Sequence, residues 1–225
     1  MLNNYKKLMI IAPHPDDEIL GCGGLIAKFS KMKNTEISII IVSGHLPPLY
    51  KQKDFDITKK ECLLSLKSIS KNITANFLEL PATYLKDLPI SQINSLLTEK
   101  MKRFKPEILC IPFPDRHTDH RVIFDSSLVV ARPNSKFFPK VLLSYETLSE
   151  THWNAPYLEP NFTPDLYVNI DKEIEIKCRS LNCYKSQIKD NLSRSIKAVK
   201  ALASFRGSQN ACNYAEGYKV LRILT

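Results

Sequence analysis

The 225-residue sequence contains no long apolar stretch. Its longest nearly uninterrupted runs, such as Leu8 to Ala12 and Ile37 to Val42, fall far short of the roughly 20 residues needed to span a bilayer. A membrane-spanning class is therefore not expected. Met1 to Lys7 leads straight into the first of these runs, so no signal peptide is expected and the expected location is cytoplasmic. Six cysteines are present, Cys22, Cys62, Cys110, Cys178, Cys183 and Cys212, but no C-x-x-C pair. They read as small buried or neutral side chains of a reducing compartment. No internal repeat, low-complexity tract or Gly/Ser linker divides the chain, which reads as a single domain over residues 1–225.

Two further absences limit the partners. Gly21-Cys22-Gly23-Gly24 lacks the G-x-G-x-x-G spacing, and the acidic residues before it would repel a pyrophosphate. These glycines are expected to let a helix approach a sheet. The formal net charge of +9 is spread over several helices, and no RNA- or DNA-binding motif accompanies it. A solvated basic surface is expected, with no nucleic-acid partner, although basic groups near a site could attract an acidic substrate. Three sequons, at Asn72, Asn161 and Asn191, carry little weight without a secretion signal.

What is present is an alternation of periods. Leu8 to Ala12, Ile37 to Val42 and Ile108 to Ile111 resemble strands buried on both faces. Between them, Leu25, Ile26 and Phe29, then Cys62, Leu63, Leu66 and Ile69, then Ile93, Leu96, Leu97, Met101 and Phe104 recur at helical spacing. Alternation of this kind predicts an α/β fold with a parallel, doubly wound sheet, in which ligands sit beyond the carboxyl ends of the strands. Irregular segments are expected at Ser43 to Asp56, Ala131 to Lys140 and Glu150 to Pro164 as pocket walls. Helices are expected from about Lys172 to Lys189 and from Ser193 to Phe205, with a last strand near Tyr218 to Leu224.

Two clusters follow the expected strands. His14-Pro15-Asp16-Asp17-Glu18 comes directly after the first, and Asp115-Arg116-His117-Thr118-Asp119-His120 comes after Ile108 to Ile111. A catalytic zinc needs three His or carboxylate ligands and an open position. His14 and Asp17, three apart on a tight turn, can face one metal, leaving Asp16 beside it to take a proton from water. If His120 is the third ligand, His117 is free near the open position, where a protonated imidazole could stabilise an oxyanion. Taken singly, an Asp-Asp-Glu at a helix start is more often a cap. The conjunction argues otherwise, because three of only 5 histidines fall in these clusters. His45 and His152 read as loop residues.

On these residues the chain resembles the LmbE-like, or PIG-L, family of zinc-dependent N-deacetylases. The resemblance runs from Ala12-Pro13-His14-Pro15-Asp16-Asp17-Glu18 and Leu20-Gly21-Cys22-Gly23-Gly24 through His117-Thr118-Asp119-His120-Arg121. It continues over Arg132-Pro133, Tyr145-Glu146, Tyr184-Lys185-Ser186-Gln187, Arg206-Gly207 and Tyr214-Ala215-Glu216. It implies a Rossmann-like three-layer α/β fold with a mostly parallel sheet. It further implies Zn2+ held by His14, Asp17 and His120, Asp16 as general base and His117 at the tetrahedral intermediate, with Asp119 orienting a histidine from outside the coordination sphere. It also places Arg132 and Glu146 near the sugar. The implied reaction is hydrolysis of a linear amide C–N bond, removing acetyl from an N-acetylglucosamine conjugate of the bacterial, bacillithiol-type branch. One departure stands out: Thr58 occupies the place of an arginine found in many relatives, with Lys59 and Lys60 beside it. A second, Ala211 in place of a glycine, is expected to affect only a local turn. The implied partner is a small amino-sugar conjugate, and self-association into a homo-oligomer is compatible with this reading. The alternatives are a metal-dependent amidase on another small N-acyl substrate such as a thiol conjugate, and a catalytically silent zinc-binding protein. Asp16 and His117 speak against the silent module, which needs neither.

Overall fold

The computed structural model describes residues 2–134, 136–155, 157–188 and 193–224. Its seven strands are β1 (Lys7–Ala12), β2 (Glu36–Gly44), β3 (Ile73–Pro81), β4 (Ile108–Pro112), β5 (Val141–Tyr145), β6 (Leu166–Asn169) and β7 (Ala215–Ile223). They form one sheet in the order β3-β2-β1-β4-β5-β7-β6. The first five are parallel, whereas β7 runs antiparallel to both β5 and β6. Six helices alternate with the strands: α1 (Asp17–Ser30), α2 (Gln52–Ile69), α3 (Ile90–Phe104), α4 (Thr118–Val130), α5 (Ile174–Leu181) and α6 (Ile196–Ser208).

The period-2 geometry of the strands divides their apolar residues between two layers. Leu8, Ile10, Ile37 and Ile39 join α1, α2, α5 and α6 on one face. Met9, Ile11, Ile40 and Val42 join α3 and α4 on the other. Both faces are covered, which is why the strands read as continuous apolar runs and not as alternating ones. The three-layer α/β expectation therefore holds. Some details differ. Leu63 is exposed, because the inward stripe of α2 runs through Phe55, Thr58, Cys62, Ser65 and Leu66. The expected helix beginning near Lys172 is shorter, ending at Leu181, and β7 begins three residues before the expected strand. Lys189 and the Asn191 sequon lie outside the described residues.

Helix α1 is pressed onto the sheet at the glycine run. A Cβ on Gly21 would lie 2.1 Å from the Tyr145 ring of β5, so only glycine permits this approach. The Tyr145 hydroxyl in turn donates to the Ile11 carbonyl, 2.9 Å away in β1. Further along the helix, Glu216 of β7 accepts from the amides of Gly24 (2.7 Å) and Leu25 (2.8 Å). Lys177 of α5 donates to both Glu216 (2.7 Å) and the Leu20 carbonyl (2.8 Å), and the Tyr218 hydroxyl donates to Glu216 at 2.8 Å. Lys177 and Glu216 are both buried. This Lys–Glu pair is thus a fully bonded insert in the first helix, and it positions the helix whose start carries the first acidic cluster.

Breaking such a pair from one side leaves a charge buried without a partner, whereas removing both charges does not. Glu216→Ala is expected to cost about 3–5 kcal/mol, and Lys177→Met with Glu216→Leu to recover most of that loss. Urea unfolding of the three proteins measures this; a single-variant loss under about 1 kcal/mol would show that the pair does not anchor α1.

Candidate active site

Both clusters lie at the carboxyl ends of the strands, beyond β1 and β4. These neighbours are where the strand order reverses, since β1 leads outward to β2 and β3 while β4 leads the other way to β5. The crevice at such a switch point is left open by the helices diverging to opposite faces. After β1 the chain turns sharply at Asp16, whose backbone is left-handed (φ 113°, ψ −29°). That conformation is costly for a residue with a Cβ. Its outcome is that neighbouring carboxylates part. Asp17 turns back, accepting from the His14 amide at 3.0 Å, while Asp16 points toward Arg194 Nη1, 3.4 Å away. Asp16 makes no side-chain capping bond to α1, so the capping interpretation of this motif fails.

After β4, Asp115 organises the second cluster. One carboxylate oxygen accepts from the His117 amide (3.0 Å), and the other meets His120 Nδ1 (3.0 Å) and the Thr151 hydroxyl (2.8 Å). Asp119, in the first turn of α4, reaches across to His14 Nε2 (2.8 Å) and accepts from the Thr83 amide (2.7 Å). Each of two imidazoles thus has one nitrogen held by a buried carboxylate, the arrangement that fixes tautomer and aim in metal-binding histidines. The role suggested for Asp119 has a geometric counterpart at His14. Asp115 was not singled out beforehand, although its place at the head of the second cluster was a usable signal.

The remaining nitrogens converge. Asp17 Oδ2 lies 3.2 Å from His14 Nδ1 and 3.3 Å from His120 Nε2. Ligands about 2.0–2.1 Å from a tetrahedral metal are spaced roughly 3.3–3.4 Å apart, which is close to these separations. His120 Nε2 is buried yet makes no hydrogen bond, as expected of a lone pair aimed at a cation. His14, His117 and His120 also present ligand atoms within 4.8 Å of one another, so the residues can hold a metal ion. The His117 ring lies 4.5 Å from that of His14 and 5.0 Å from that of His120.

Electrostatics separate the two aspartates. Burial raises Asp16, Arg194 offsets part of this and Asp17 adds to it, leaving the group at about 7. Burial also opposes ionisation of Asp17, but His120 and His14 outweigh it and hold this carboxyl well below the usual range. Burial pulls the imidazolium of His14 down, whereas Asp119 and Asp17 bring it up to about 9. His120 is similarly depressed by burial and raised further by Asp17 and Asp115, to about 10. His117 goes the other way, to about 4, through burial and the neighbouring His14 and His120. Its Nδ1 accepts from the Asp119 amide at 3.2 Å, so the proton resides on Nε2. With His14 and His120 protonated, His117 is therefore a neutral imidazole that can donate from Nε2.

A cavity of about 120 Å³ opens over this centre, its wall including His45, Tyr50, Thr83, Glu150, Gln187 and Arg194. Two residues expected near a sugar are elsewhere. Arg132 follows the last residues of α4, which starts at the site and runs back along the sheet for 13 residues, about 20 Å. It is exposed at the opposite edge, and among the described residues of 131–140 none lines the pocket. Glu146 is buried, with its two oxygens paired to Arg206 at 2.9 and 2.7 Å and one also near His152. It ties β5 to α6. Thr58 is buried and bonds the Phe55 carbonyl, Lys59 pairs with Glu79, and neither Lys59 nor Lys60 lines the cavity. The cation that does reach it, Arg194, lies outside every motif and gave no sequence signal.

Comparison with known proteins places the chain in a family. The diacetylchitobiose deacetylase of Thermococcus kodakarensis is 22% identical over 232 residues, spanning 96% of this chain and 84% of that protein. Among solved structures, a conserved protein of Thermus thermophilus superposes with a TM-score of 0.79 at 21% identity, covering 98% of this chain and 96% of its own. The N,N'-diacetylchitobiose deacetylase of Pyrococcus horikoshii, solved with an inhibitor, gives 0.78 at 21% identity, covering 98% and 85%. Residues 9–131, which contain both clusters, match the family model described as PIG-L: GlcNAc-PI de-N-acetylase, and the chain belongs to that family.

Proposed function

We propose that this protein is a zinc-dependent N-deacetylase that removes acetyl from an N-acetylglucosamine-type conjugate, releasing acetate and a free amino sugar. The observation that carries this reading is the convergence of His14 Nδ1, Asp17 Oδ2 and His120 Nε2, with Asp16 beside them and outside the set. In this reading those three residues hold the metal. When bound, zinc would polarise the amide carbonyl and make the attacking water more acidic. Asp16, poised near neutrality, takes the proton from the water and delivers it to the departing amine. His117 donates from Nε2 to the developing oxyanion while staying neutral. Asp115 and Asp119 hold His120 and His14 in place.

The family match and the deacetylase relatives support the reaction class. The sugar is supported by the diacetylchitobiose relatives and by the cavity's neutral polar wall of Tyr50, Thr83 and Gln187.

Metal binding should be strongly pH-dependent. Without metal, His14 and His120 keep their protons up to about pH 9 and 10, so zinc must displace them. Both sites are protonated below those values, so affinity falls as pH falls, approaching about a hundredfold per unit when two protons are displaced. Zinc titration against a competing chelator from pH 6 to 9 measures this, with one zinc per chain and loss of tight binding in His120→Ala. Affinity independent of pH would remove the two histidines from the ligand set.

Chemistry and metal retention should separate. Asp16→Asn is expected to keep zinc and lose turnover on the order of a hundredfold or more. His117→Ala should lower kcat more than it raises KM, since its bond forms chiefly in the transition state. Acetate release by zinc-loaded variants reads both effects; near-normal kcat in either one excludes that residue from the reaction.

A further inference from the structure

We propose that the pocket selects conjugates whose attached group is uncharged and rejects those bearing a carboxylate or phosphate, with Glu150 as the specificity-determining residue. This deepens the deacetylase reading and rests on it. Thr58 is buried and spends its hydroxyl on the Phe55 carbonyl. Lys59 is held away by Glu79, and its ammonium lies over the rings of Phe55 and Phe77. Among the described wall residues Arg194 is the one permanent cation, and two carboxylates, Asp16 and Glu150, already face it. Each of its three guanidinium nitrogens already has a partner: Nε donates to Ser149 Oγ (3.0 Å), Nη1 to Asp16 (3.4 Å) and Nη2 to Glu150 (3.0 Å).

An anionic group entering here would either displace Glu150 from Arg194 or share the guanidinium with it. Displacement leaves a half-buried carboxylate unpaired, sharing sets two like charges side by side, and either cost opposes binding. The other wall groups, Tyr50, Thr83 and Gln187, offer neutral donors and acceptors of the kind that hydroxyls match. Overall positive charge does not reverse this, because exposed basic groups are screened within about 10 Å at ordinary salt.

The test compares acetate release by the zinc-loaded protein from the methyl glycoside of N-acetylglucosamine and from its glycoside with a hydroxy-dicarboxylic acid. The neutral compound should be favoured by at least about tenfold in kcat/KM. Equal or better use of the anionic compound overturns the proposal. In Glu150→Gln the neutral-to-anionic ratio should shrink about tenfold, and an unchanged ratio removes Glu150 from the role. If neither glycoside is hydrolysed while simple N-acetyl amines are, the sugar reading fails. Charge preference is then read on neutral and carboxylate-bearing N-acetyl amines. Calorimetric binding of the corresponding free amines to the zinc-loaded protein gives the same comparison without turnover.

Discussion

Four aspartates, Asp16, Asp17, Asp115 and Asp119, are buried around two imidazoles, and that concentration of carboxylate is the constraint to which the surrounding structure answers. Charge removed from water must be matched by opposite charge or by directed hydrogen bonds. Backbone amides of His14, Thr83 and His117 supply some of the bonds, and Arg194 supplies a cation at the cavity side. The rest falls to His14 and His120, which either retain protons or give them up to a metal. Protons and a metal would therefore compete for this centre.

The division of labour between Asp16 and Asp17 has a backbone origin. Were the turn after β1 regular, adjacent carboxylates would diverge only as successive helix positions do. The left-handed backbone at Asp16 separates them further, giving one to the histidines and one to the cavity. Glu18 supports the turn, accepting from the Asp16 amide at 3.0 Å and bonding the Tyr184 hydroxyl. Burial raises its carboxyl to about 8 despite that hydroxyl. The third acidic residue of the motif thus acts as internal scaffolding.

Strand periodicity and the two clusters were legible in the sequence because each depends on local pattern: apolar runs, and ligand-type residues just past them. Contacts made across the sheet were not. Tyr184, Ser186, Arg206 and Glu216 could be picked out as motif residues, but their partners Glu18, Glu61, Glu146 and the α1 amides come from elements far away in the chain. Arg132 and Glu146 were misplaced for related reasons. A helix carries its end to the far edge of the sheet, and a buried glutamate with an arginine partner looks like a ligand-binding one until the partner is seen. Arg194 was illegible because one basic residue in a polar segment of a basic chain has no distinguishing pattern.

The position of the centre between β1 and β4 also bears on the order of assembly. His14 and Asp119 are 105 residues apart, and β2, α2, β3 and α3 all intervene. Closing so large a loop is entropically slow, and contacts of long sequence separation form late. A cation that needs ligands from both strand ends has no competent site on a partly folded chain. A metal held from both strand ends would bind only the completed sheet and stabilise that state by mass action. Its occupancy would then report that the centre of the sheet has closed.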